Sequence, residues 1–585
     1  MSTESQQAAE HELDSSLTEL VSSIVESYRI LEIDTARYAV LVLAPSTAFF
    51  ALTVVGAVAV PFPLWVRLPI PLLGALVAVT AFIYPKLVVD QRRGEMEDKL
   101  HLLITHMTVL STTNIDRMEV FRTLSREEEY GELATEMGRI VELVDTWNQS
   151  LDDACRRRAQ QIPSKPMADF LERLAYTIGA GQTLSDFLFS EQGVMMQNYA
   201  TVYESSLDNL EVMKDLYLSM ILSMTFALVF STVLPILTGN DPTMSVSAVL
   251  VMFGFIQTGF FLVIRTMAPY DPVWYDSDDY VTPGEKHLRV SLFVGVLGTL
   301  GLVAFTVAGW YGLSPVTLND VVFFLNPIPK PLYLALLVTP LLVPGFSYRN
   351  EERQIVERDE EFPSFIRALG ATESAKQSTT TKVLESLRKK DFGPLSENVD
   401  NLYKRLNMRL DNQRAWMFFA AESRSYLVQK FGEMYLMGRQ MGGNPKRLGE
   451  LISENMSVVN QLRERRKQAT VTLIGLLYGI TAASSFAFFI GLEVVRILSN
   501  MSINLDTGSR FQVGQLIHTD VYDIPFITFL LLLLILFNAL LSSLMIRAID
   551  GGHKTNAYVH FVAMTWIGTV VAVVTKEVVS AVLAI

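Results

Sequence analysis

Apolar residues gather in nine stretches, at 39–60, 69–89, 216–238, 246–267, 289–312, 330–347, 469–495, 525–546 and 557–584. Each is near the roughly 20 residues that a helix needs to cross a bilayer. The sixth, "KPLYLALLVTPLLVPGF", is the shortest and carries several prolines, which predicts a kink. Two long polar regions interrupt the series. In both, apolar residues recur at three- and four-residue spacing, as in "MEDKLHLLITHMTVLS" and "RMEVFRTLSREEEYGEL" of the first and "EEFPSFIRALGATE" and "TTTKVLESLRKKDFGPL" of the second. This spacing predicts amphipathic helices, and no alternating run predicts a strand.

The pattern predicts an all-α polytopic membrane protein with about nine transmembrane helices and two homologous helical bundles outside the membrane. The expected divisions are an N-terminal arm (1–38), spans one and two (39–89), a first bundle (90–215), spans three to six (216–347), a second bundle (348–468) and spans seven to nine (469–585). Basic residues in short loops set orientation. With the N-terminus inside, Arg92, Arg93, Arg265, Lys286, Arg289, Arg349, Arg353, Arg547, Lys554 and the run Arg463–Lys467 are all cytosolic. The C-terminus is then external. The run Arg463–Lys467, directly before span seven, reads as a membrane-flanking anchor. No basic n-region with a short apolar core opens the chain, so no cleavable signal peptide is expected.

The two polar regions repeat one another. "YGELATEMGRI" begins at Tyr130 and "FGPLSENVDNL" at Phe392, both opening aromatic-Gly-x-Leu. Fifty residues after Gly131 comes Gly181, and fifty after Gly393 comes Gly443. Each opens a short break before a fresh helix, in "GAGQTLSDFL" and "GGNPKRLGEL". Three spans follow each region, so the chain reads as a helical bundle plus a three-helix membrane unit, made twice.

Composition narrows the function. Half of the residues are hydrophobic and the net charge is −13. The charge is uneven: residues 90–215 carry 23 acids and 13 bases, and residues 349–467 carry 17 acids and 22 bases. Two bundles of opposite sign offer different faces to partners. One cysteine, Cys155, excludes an internal disulfide. No phosphate-cradling G-x-x-x-x-G-K-[ST], HExxH or G-x-S-x-G is present, so no catalytic, cofactor-binding or metal-binding residues are assigned and no enzyme is expected. His101 and His106 lack carboxylate support for a metal. Glu493 with Arg496, and Lys576 with Glu577, fall towards the outer ends of their spans. Gln257 is a lone polar residue that reads as a helix-packing contact. Basic clusters without interleaved aromatics argue against nucleic acid.

The aromatic-Gly-x-Leu helix start, the start after "WNQSLDDA", the stretch "FLERLAYTIGAGQTLSDFLFSEQ" and the repeated unit together resemble the type II secretion F-domain family. These are the membrane platforms of type IV pilus-like machines. With nine spans and two such bundles, the chain is most similar to the archaellum (archaeal flagellum) branch of that family. It departs from the usual family pattern in carrying Asn148 where glycine is common, and in "NQRAWMFFAAES" of the second region.

The resemblance implies a platform that couples a cytosolic hexameric motor ATPase to assembly of archaellin- or pilin-like subunits, with rotation in the archaellum. A homodimer fits the motor's symmetry in related machines, and membrane lipids are further partners. Candidate motor-docking residues are Arg388, Lys389 and Lys390 on the second bundle. On the first they are Glu127, Glu128 and Glu129, with Arg156, Arg157 and Arg158 as a further basic cluster. The acidic and basic runs precede equivalent aromatic-Gly pairs. The competing readings are an adhesive-pilus platform and, more distantly, a transporter.

Overall fold

The computed structural model describes residues 35–59, 69–113, 115–238, 242–277, 280, 282–312, 318–321, 328–377, 379–505 and 523–583. Most of the predicted N-terminal arm therefore lies outside the described residues. The chain divides into two compact units, Met1–Met195 and Met196–Ile585. Among the described residues there is no strand, only one isolated bridge between Trp274 and Ser425. The protein is all-α and membrane-spanning.

In the first unit α1 (Ala44–Ala59) pairs with α2 (Pro69–Ser111). The far half of α2 then anchors a bundle of α3 (Arg117–Ser125), α4 (Glu132–Asp145), α5 (Leu151–Ala159) and α6 (Lys165–Gly179). Leu103, Ile104 and Met107 of α2 are fully buried, as are Phe121, Leu133, Met137, Ile140, Phe170 and Leu174 of the helices packed around it. Side-chain caps begin the short helices. Ser150 accepts from the Asp153 amide and Ser164 from that of Met167, each satisfying a backbone donor the helix leaves unpaired. Cys155 is buried on α5, and burial pushes its thiol up to about 12, which keeps it unreactive.

The boundary of the units falls within α7 (Leu184–Val233). The second unit continues with α8 (Pro242–Met267), α9 (Pro283–Trp310) and α10 (Lys330–Val338). The predicted kink in the sixth stretch is a break: a 3-10 turn, Thr339–Leu341, separates α10 from α11 (Leu342–Lys376). A second polar bundle follows, α12 (Thr380–Leu387), α13 (Ser396–Asn407), α14 (Asn412–Ser423) and α15 (Tyr426–Gln440). Three long helices close the chain, α16 (Pro445–Leu505), α17 (Ile524–Asp550) and α18 (Ala557–Leu583).

Seven helical runs among the described residues are long and apolar enough to cross a membrane, with Lys330–Lys376 taken as one run through its 3-10 turn, and they overlap the third to ninth predicted stretches. The first stretch coincides with α1 and the second with the start of α2; between them, residues 60–68 lie outside the described residues. Half of the apolar window of α18 is buried, against 11% for α9, so within the second unit α16, α17 and α18 lie innermost and α9 outermost. Gln257 sits in that interior, where its Nε2 donates to Tyr217 Oη at 3.2 Å and to Asn538 Oδ1. The predicted packing contact is therefore a hydrogen-bonded clasp between α8, α7 and α17. Glu493 is buried and takes a hydrogen bond of 2.5 Å from Arg496, one turn along α16.

The two polar bundles follow the same order of elements. Gly131 and Gly393, the glycines of the repeated motif, have φ of +56° and +53°, the left-handed region. A Cβ on Gly131 would meet only Glu95 Oε2 at 3.9 Å, so conformation and not space requires glycine there. Gly131→Ala is expected to cost about 1–2 kcal/mol, read as a lower thermal midpoint of the detergent-solubilised chain, with little change at Gly138→Ala as a control. A Cβ at Gly138 would sit at an ordinary 3.7 Å from Ser125.

The second glycine pair needs a correction. The left-handed partner of Gly181 (φ +80°) is Gly442 (φ +88°), not Gly443. In both places the following amide, of Gln182 or Gly443, reaches back five residues to Thr177 O or Gly438 O, which closes a Schellman turn. The interval is thus one residue shorter in the second bundle. Asn148 and Arg409 match as well, each two residues before a helix N-cap and left-handed at +55° and +61°. The stretches that differ in sequence keep the same turn.

Candidate functional site: a polar joint between loops, bundle and spans

In the second unit four segments converge where the spans meet the second bundle. They are the loop from Ala268 to Thr282 between α8 and α9, the α14–α15 corner, the facing stretches of α11 and α16, and the loop from Gly551 to Asn556 between α17 and α18. Backbone pairing starts the joint. The Tyr275 amide donates to Arg424 O at 2.8 Å and the Tyr426 amide to Val273 O at 3.0 Å. Arg424 is left-handed (φ +55°) at the end of α14, which turns the chain sharply enough to present this edge. Its side chain donates to Thr282 Oγ1 at 2.6 Å, and Thr282 is also the N-cap of α9. One corner therefore holds the middle of the α8–α9 loop and its end at α9.

Arg463 on α16 is the centre. Its Nε and Nη2 grip Asp271 at 2.7 and 2.6 Å, its Nη1 reaches Asp359 on α11 at 2.6 Å, and Nη2 also donates to Pro272 O at 2.9 Å. Ser425 Oγ donates to the second oxygen of Asp359. Asn460 donates to the Asp359 carbonyl at 2.7 Å. Burial opposes the charge on Arg463, but Asp271 and Asp359 outweigh it and hold the guanidinium protonated above its ordinary range. Burial pushes the Asp359 carboxyl up to about 6 against the pull of Arg463. At neutral pH the site is one cation between two anions, with nearly every donor and acceptor engaged, the arrangement a buried charge requires.

Glu352, two turns before Asp359, gathers the other loop. It accepts from Trp274 Nε1, the His553 amide and Asn556 Nδ2, each at 2.7 Å. The His553 ring stacks on Tyr348 with centroids 4.5 Å apart. Arg466 donates to the carbonyls of Ile549 and Ala548, the exposed acceptors at the end of α17 where the helix dipole is negative. Gly551 and Gly552 admit this approach: a Cβ on Gly551 would lie 2.6 Å from Arg466 Cζ, and one on Gly552 2.4 Å from Glu352 Oε1. The contacts that hold the joint are ion pairs, hydrogen bonds and a ring stack, the chemistry of a fastening.

The sequence read Arg463–Lys467 as a membrane-flanking anchor; Arg463 and Arg466 instead turn inward. The sequence did not single out Asp271, Glu352, Asp359 or Arg424. A usable signal was present, namely acids directly beside spans at places where short-loop bases are the rule.

The other predicted positions lie elsewhere. Glu127 is half-buried while Glu128 and Glu129 are exposed, and Lys99 donates to the Glu129 carbonyl at 2.6 Å. Arg388 is exposed but leans on its own bundle, 4.7 Å over the Tyr403 ring and 3.5 Å from Asp400. Lys389 and Lys390 stand exposed in the turn before Gly393. Arg156 and Arg157 are exposed on α5. Arg158 turns inward onto the buried Glu136 at 2.8 Å.

Comparisons with known proteins agree with this architecture. The family profile of type II secretion system (T2SS), protein F, matches residues 103–232. Flagella accessory protein J of Methanocaldococcus jannaschii is 33% identical over 517 residues, covering 88% of this chain and 90% of that protein. Flagella accessory protein J of Methanococcus voltae is 33% identical over 521 residues, with the same coverage. No solved structure matches the chain. An F-type bundle feeding long membrane helices, with relatives alike over nearly their whole length, places the chain in the flagella accessory protein J family, among the membrane platforms of archaellum and type IV pilus-like machines.

Proposed function

We propose that the chain is the archaellum platform that couples a cytosolic hexameric ATPase to assembly, and rotation, of a filament of archaellin-like subunits. The observation that carries this reading is the Arg463 joint. A push on the α14–α15 corner is delivered through Asp359, Arg463 and Asp271 to the loop between α8 and α9, and through Glu352 to the loop between α17 and α18. A rigid link of this kind suits a part that passes motion into the membrane. The two bundles are read as a duplication on their shared element order and matched left-handed turns. The N-terminus is cytosolic and the C-terminus external; a reporter fused after Ile585 should be active outside the cell, and activity confined to the cytosol would reverse this.

Deletion of the gene should abolish archaella while adhesive pili persist in electron micrographs. Loss of pili with archaella intact would assign the chain to an adhesive-pilus platform, and loss of neither would favour a transporter.

Motor docking is assigned to the exposed charges of the two bundles. The variant Arg388→Glu, Lys389→Glu, Lys390→Glu is expected to weaken ATPase binding by tenfold or more at low salt, and Lys389→Glu, Lys390→Glu alone should weaken it with the thermal midpoint nearly unchanged, since these two lysines are exposed whereas Arg388 packs on Tyr403 and Asp400. Unchanged binding would exclude this face. Glu127, Glu128 and Glu129, and as a separate basic cluster Arg156 and Arg157, are the candidates on the first bundle. Arg158, occupied by Glu136, contributes to folding.

A further inference from the structure

Between α11 and α16 lies a cleft of about 750 Å³ that runs from the joint residues Asp359 and Arg463 to the apolar stretches of the two helices. Its lip is apolar and open to the bilayer: Phe346, 57% exposed, and Val471, 62% exposed, with Ile474 one turn deeper. These residues close the sixth apolar stretch and open the seventh. Directly above them stand Arg349 and Lys467, at the level where a helix leaves hydrocarbon for water.

The charges of the lining sort by depth. Asp271 and Asp359 are taken up by Arg463, Glu352 by Trp274, His553 and Asn556, and Glu357 by Arg353 at 3.0 Å. Glu360 lies eleven residues beyond Arg349 on α11, about 16 Å further from the membrane. Glu464 pairs with Lys467 at 3.6 Å with both side chains exposed, a weak pair that solvent screens and that a phosphate can replace. At the membrane end one carboxylate, Asp550, faces three cations: Arg466, Arg349 and Lys467 are the bases whose fields reach it. Arg466 is itself buried and bonded to neutral carbonyls, so its charge is not cancelled by its partners. The bilayer end of the cleft is therefore locally cationic above an apolar slot.

We propose that this cleft binds the phosphate headgroup of an anionic membrane lipid, with Arg349 and Lys467 as the phosphate ligands and Phe346, Val471 and Ile474 against the upper acyl chain. A cationic pocket at the interface continued by apolar surface is complementary to a phospholipid, whereas free phosphate would make no use of the open apolar lip. A lipid so held would span α11 and α16 beside the Asp359–Arg463 link and brace it.

The test is native mass spectrometry of the purified full-length chain, titrated in detergent with phosphatidylglycerol or phosphatidylcholine. The intact chain should retain one phosphatidylglycerol with roughly tenfold preference, and Arg349→Gln/Lys467→Gln should reduce that preference to within about twofold. Arg289→Gln, an exposed base outside the cleft, should leave it unchanged. Both cleft residues are exposed, so the fold should survive; if the double variant melts differently, Arg349→Gln alone should lose at least about half of the preference on the logarithmic scale. Retained preference in the variants, an equal loss in Arg289→Gln, or displacement of the lipid by low-millimolar inorganic phosphate would each overturn the proposal.

Discussion

Arg463→Ala is expected to destabilise the second unit by about 3–5 kcal/mol and to abolish filament assembly. The substitution removes the cation that grips Asp271, 5% exposed, and Asp359, 1% exposed. Removing one partner of a buried ion pair leaves an uncompensated charge, and that is where the cost arises. The two stranded carboxylates would also repel one another. Arg463→Lys should recover only part of the loss, because an ammonium cannot make the forked grip on Asp271 and the separate bond to Asp359 together. The triple variant Arg463→Met, Asp271→Asn, Asp359→Asn removes all three charges and should regain much of the thermal midpoint. It should not regain filament assembly if the link transmits motion. Measured melting curves of the purified variants, set beside electron micrographs of the cells, separate the two effects. Full assembly in the stable triple variant would exclude the link as a mechanical part.

The second large effect is steric. Gly370 of α11 and Gly449 of α16 let these helices cross at backbone contact, and this pair of helices joins the second bundle to the membrane core. A Cβ on Gly370 would lie 2.2 Å from the Pro445 carbonyl oxygen, and one on Gly449 2.7 Å from the Ile366 carbonyl oxygen. Neither obstacle is a flexible side chain, so the helices must separate. Gly370→Ala is expected to cost about 3 kcal/mol, at the upper end of the range for overpacking, and Gly449→Ala somewhat less. Gly475→Ala, on the same α16 with nothing near its added methyl, should be neutral or slightly stabilising. Equal melting of Gly370→Ala and the wild-type chain would mean that the crossing is looser than the structure shows.

Asp359 and Arg463 also show how the joint combines strength with dependence on its surroundings. A paired buried charge adds little net stability over an apolar packing of the same shape, yet it is costly to break and specific in direction. Such a contact suits a link that must hold one register between a loop, a bundle corner and two helices.

Much of this was legible in the chain itself. The apolar stretches mark their helices because the thickness of hydrocarbon and the rise of a helix are fixed lengths. The helices of both bundles follow from a 3.6-residue period, and Gly131 and Gly393 announce their turns because left-handed backbone penalises every other residue. Matching texts pointed to the shared order of turns, with one second glycine misplaced by a residue because Gly442 and Gly443 are adjacent and only φ distinguishes them. These are local properties, written in residues a few positions apart. The joint is not local. Arg463 meets Asp271 across 192 residues and Asp359 across 104, and His553 meets Glu352 across 201. From sequence, the five-residue run that holds Arg463 looks like any basic flank of a span. Its inward turn depends on how α11, α16 and the α8–α9 loop pack, on the missing side chains at Gly370, Gly449 and Gly551, and on acids brought within 3 Å only when those helices have crossed.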